Sequence, residues 1–80
     1  MIMTELQMAR RTMNAIREDL IRCREYRSHY MAKRNQANSK SEARDYMLIA
    51  NQYSSFVAQY KKGLKIAADH VADLLKRSKS

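Results

Sequence analysis

The sequence predicts an all-α protein: an antiparallel two-helix hairpin, coiled-coil-like, that dimerises into a four-helix bundle. Three observations carry this expectation. The eighty residues include one glycine and no proline, so helix breakers and the turn residues of a β fold are scarce. Apolar residues recur at alternating spacings of three and four in two long runs separated by a single polar break. The stretch 46–60, YMLIANQYSSFVAQY, carries no charge in a chain that is 30% charged. Polar side chains interrupt it and it is shorter than the roughly 20 apolar residues of a membrane span, so protein must cover it.

The first helix is expected over residues 4–35. Thr4 with Gln7 three residues later reads as a capping box, Met3 and Met8 stand at hydrophobic-staple spacing, and Glu5 suits the positive end of the helix dipole. The apolar seam then runs Leu6, Ala9, Met13, Ile16, Leu20, Cys23, Tyr30 and Ala37. Arg27 and Arg34 interrupt it at heptad position a. Residues 36–40 form the expected loop, and Ser39 with Glu42 makes a second capping box. The second helix is expected over residues 41–77, with an unbroken seam: Ala43, Tyr46, Ala50, Tyr53, Val57, Tyr60, Leu64, Ala67, Val71 and Leu74. Lys76, Arg77 and Lys79 then meet the negative end of its dipole. So short a connection between long helices implies an αα hairpin, and residues 1–80 read as one domain.

Folding about Lys40 pairs Leu6 with Leu74, Ala9 with Val71 and Met13 with Ala67, and so on up the seam to Tyr30 with Ala50. It also sets Arg27 opposite Tyr53 and Arg34 opposite Tyr46 as cation–aromatic pairs. The two rims beside the seam then differ. One carries Arg10, Arg17, Arg24 and Lys61, with Arg11, Lys62 and Lys65 close by. Facing helices normally line a rim with opposite charges, so a rim positive on both sides suggests an anionic partner. The other rim carries Tyr26, Ile49, Phe56 and Gly63, with Asp19 among them. A lone hairpin leaves that stripe in water, whereas a second copy would bury it and supply the core that a chain this short lacks.

Chemistry is harder to find. The single cysteine, Cys23, lies on the seam as a small hydrophobe with no activating partner. His70 with Asp69 and Asp73 offers too few ligands for a structural metal site. No phosphate-binding glycine loop, paired carboxylates or nucleophile elbow is present. The expected protein is therefore not an enzyme and has no cofactor, metal or small-molecule substrate. One cysteine excludes an intrachain disulfide, the N-terminal segment does not read as a secretory signal, and a cytoplasmic location without membrane association follows. Sixteen Lys and Arg against eight Asp and Glu give a net charge of +8, which favours nucleic acid as the partner, bound by Arg10, Arg11, Arg17, Arg24, Lys61, Lys62 and Lys65. The alternative is a protein-interaction module, a small inhibitor, adaptor or chaperone of viral or plasmid type. It would dock Tyr26, Ile49 and Phe56 on an acidic surface of a larger protein. In plan the hairpin resembles the plasmid-encoded RNA-binding αα-hairpin dimers that form four-helix bundles; the heptad pattern carries the likeness, and no recognition motif does.

Overall fold

The computed structural model describes residues 4–78, as two helices joined by a short loop. Helix α1 spans Glu5–Asn35 and α2 spans Lys40–Ser78. They pack against each other as a hairpin, and no strand occurs among the described residues. The thirty-nine residues of α2 measure about 58 Å at 1.5 Å per residue. The hairpin is accordingly a ribbon, with extents of 61 × 23 × 12 Å.

Local chemistry sets both starts. Gln7 N–H donates to the Thr4 hydroxyl at 3.2 Å, and Thr4 N–H donates to the Gln7 side-chain oxygen at 3.0 Å. Both halves of the first capping box are thus closed, satisfying donors that the first turn leaves orphaned. At the second start, Glu42 N–H donates to the Ser39 hydroxyl at 3.1 Å. The return bond differs from a standard box: the Glu42 carboxylate accepts from Asn38 N–H at 3.4 Å, one residue upstream of the cap. The staple of Met3 on Met8 lies outside the described residues, and Met8 itself is exposed.

The buried residues are Ala9, Leu20, Ala50, Val57, Val71 and Leu74, all on the expected seam. Ala9, Val71 and Leu74 form one cluster with Leu6, Met13 and Leu75 against it. Tyr26 meets Tyr53 and Arg34 meets Met47. Partner numbers therefore sum to about 80, as folding about Lys40 requires.

Two seam pairs come out differently. Tyr53 does not take Arg27; its ring stacks on Tyr26 at 5.4 Å and on Tyr30 at 5.9 Å, while Arg27 is exposed. A ring gains by leaving water and a guanidinium loses its hydration there, so the neighbouring Tyr26 wins the contact. Arg34 does not face Tyr46 either. Its Nη1 lies 3.3 Å from Met47 Sδ and its other nitrogens donate to Asn35 Oδ1, whereas Lys33 Nζ sits 5.7 Å from the centre of the Tyr46 ring. Helix α2 runs through Gly63 unbroken, and a Cβ there would meet nothing within 4 Å, so packing within the hairpin does not account for the glycine.

Candidate functional site

The ribbon has two broad sides, and they are chemically opposite. Arg10, Arg17 and Arg24 are seven residues apart and form one exposed row along α1. At 100° per residue they stand roughly 120 to 160° around the helix from Thr12, which faces the other side. Lys61 and Lys65, both exposed, lie at a similar angle from Gly63 on α2. The antiparallel register brings Arg17 level with Lys61 and Lys65, so these five cations share one side. Arg11 and Lys62 point outward along the two edges. Sequence reasoning missed Arg44, exposed and on the same side nearer the loop. Its signal was the heptad position b that it shares with Lys65, next to the e row and closer to the loop than the cations counted on α2.

None of the chain's eight acidic residues falls at a helical position on that side. The ion pairs lie elsewhere: Arg22 meets Asp19 at 3.6 Å and Glu18 at 3.9 Å, and Arg77 meets Asp73 at 2.9 Å. Among the described residues Arg10, Arg17, Arg24, Lys61 and Lys65 form no ion pair. A run of like charge without internal neutralisation raises the local potential and draws anions to it.

The opposite side holds an open groove of about 470 Å³ toward the chain ends, lined by Glu5, Met8, Thr12, Gly63, Ile66 and His70, with Ala9, Ile16 and Ala67 on its floor. Met8 is 55% and Ile66 65% exposed, an unusual display of apolar surface at adjoining positions. Nearer the loop the same side carries a ridge. Tyr26 from α1 and Phe56 from α2, 50% and 44% exposed, both lean on the Tyr53 ring, Phe56 edge-on at 6.1 Å. Ile49 sits half-buried one heptad beyond. The structure thus joins Tyr26 and Phe56 through the Tyr53 ring between them, and places Gly63 apart from them in the groove wall. Met8 and Ile66 could not be foreseen as groove walls, because both occupy c positions, outside the two rims.

No family model matches this chain, and neither the curated proteins nor the solved structures include a match to it. The chemistry of the two sides has to carry the functional reading. Among the described residues no three His, Cys, Asp or Glu side chains converge where they could hold a metal ion. His29 is exposed with its ring edge-on to Tyr30 at 5.3 Å, and Cys23 is half-buried on the seam. No helix of the described residues is long and apolar enough to cross a membrane.

Proposed function

We propose that this chain is a small non-enzymatic, dimeric helical-hairpin regulator that binds nucleic acid through its basic side. The observation that supports this reading is the side shared by Arg10, Arg17, Arg24, Lys61 and Lys65, from which every carboxylate is absent by position. The arginine row is about 21 Å long, a length over which duplex DNA presents about twelve phosphates. Since the ribbon is 23 Å across, wider than the roughly 12 Å major groove, it would lie over phosphates rather than reach base edges. Binding is then electrostatic and nearly indifferent to sequence.

The test is a titration of labelled duplex DNA and RNA with the purified protein across a salt series. Affinity is expected to fall steeply with salt, and Arg17→Ala to weaken all sequences alike while lowering the salt slope by about one unit. Binding that ignores salt, or no binding at low salt, removes the reading. The second reading, a protein-interaction module, is favoured by the exposed Tyr26 and Phe56 rings, since aromatics are enriched among interface hot spots. If Phe56→Asp abolishes capture of a purified protein partner while a dimer persists, that reading gains.

A further inference from the structure

We propose that the groove beside Gly63 is occupied by a second copy of this chain, docked antiparallel so that the Tyr26–Phe56 ridge of each protomer enters the groove of the other. The inference rests on the dimeric reading above and deepens it by naming the face and the register.

Surface area is the first argument. The hairpin exposes 6470 Å², against about 5,000 Å² for a compact monomer of 9.4 kDa by the usual scaling of surface with mass. On α2 the apolar stripe from Ile49 to His70 runs about 32 Å, and the ribbon is 23 Å across. Its footprint is roughly 700 Å², close to the ~800 Å² that each partner gives to a specific interface. Shape is the second. Groove and ridge lie on one side but at different heights, the groove toward the chain ends and the ridge toward the loop. A two-fold axis across the middle of the ribbon exchanges the two heights, so each ridge fills the other copy's groove and the contact is made twice by symmetry. Loops placed at the same end would instead set ridge against ridge and leave both grooves empty. Gly63 then has a reason. Nothing in its own chain needs the space its missing side chain leaves, and an incoming ring does. One pair of opposite charges fits: Glu5 closes the groove at one end of the stripe and Lys33 stands beyond the ridge at the other, while Asp19, midway between them on the same row, has Arg22 of its own helix 3.6 Å away. The same axis brings Glu5 of one copy beside Lys33 of the other.

The test uses Glu5→Cys with Lys33→Cys in a full-length Cys23→Ala background. These positions are about 42 Å apart on one helix, so no disulfide can close within a chain. The expected result is twice the 9.4 kDa chain mass by light scattering and an efficient covalent dimer on mild oxidation. Phe56→Asp should abolish both, and Gly63→Trp should weaken self-association about tenfold or more with helical circular dichroism unchanged. A monomer at micromolar concentration overturns the inference. So does a dimer that does not cross-link, or one that cross-links equally when Arg10→Cys on the basic side replaces Glu5→Cys. If the chain is monomeric and Phe56→Asp abolishes binding to a purified protein, the groove belongs to that protein and the inference fails. Nucleic-acid titrations on the same samples separate the two proposals. Docking lost with salt-dependent binding kept sinks this one alone, and a cross-linked dimer that binds no nucleic acid sinks the basic-side reading alone.

Discussion

Ser39 shows how much one side chain can fix. Its hydroxyl takes the Glu42 N–H at the point where the chain turns back; without it a first-turn donor loses its partner. Ser39→Ala is expected to cost about 1 kcal/mol, read as a lower urea midpoint with an unchanged slope. Tyr53 is the costlier position, because the rings of Tyr26, Tyr30 and Phe56 all touch it. Tyr53→Ala should lose about 2 to 3 kcal/mol, less than a fully buried aromatic because the ring is only half-covered. The caps could be read from the sequence, since Thr4 and Gln7 act across three residues and need nothing else. The partners of Arg27 and Arg34 could not. A seam position fixes which residues are level, but a long side chain can turn to water or to a neighbour, and the stacking of Tyr26 decided the matter.

At the scale of the element, the helices hold each other through few deeply buried atoms. Leu20, 4% exposed, is the largest apolar anchor that α1 commits to the seam. Leu20→Ala should cost about 3 kcal/mol, a large share of what a domain this small can hold. Arg22→Ala, by contrast, removes only exposed ion pairs with Glu18 and Asp19 and should lower the unfolding free energy by less than about 0.5 kcal/mol. The contrast is checked by comparing the two variants in one denaturation series. Both helices and their register were legible because the seam of α2 has no interruption and the polar break is unique. The groove was not. It depends on how far Met8 and Ile66 swing around their helices, and heptad letters assign them to solvent.

For the whole molecule, the decisive property is that basic and apolar surfaces lie on opposite broad sides of one ribbon. The heptad pattern announced both rims, but only the packed hairpin shows that each rim widens into a side, with Arg44 and Lys65 extending the cationic one. Replacing Arg10, Arg17 and Arg24 together with alanine should lower the salt slope of duplex binding by about three units and leave the fold intact, as circular dichroism would register.

A consequence follows from this back-to-back layout. When two copies hide their greasy sides against each other, their cationic sides look outward in opposite directions, and the assembly becomes a double-faced adhesive for polyanions. Two duplexes carrying different dyes should then be pulled into common particles by the intact protein, whereas Phe56→Asp, reduced to a single sticky side, should coat each duplex and leave the two colours apart.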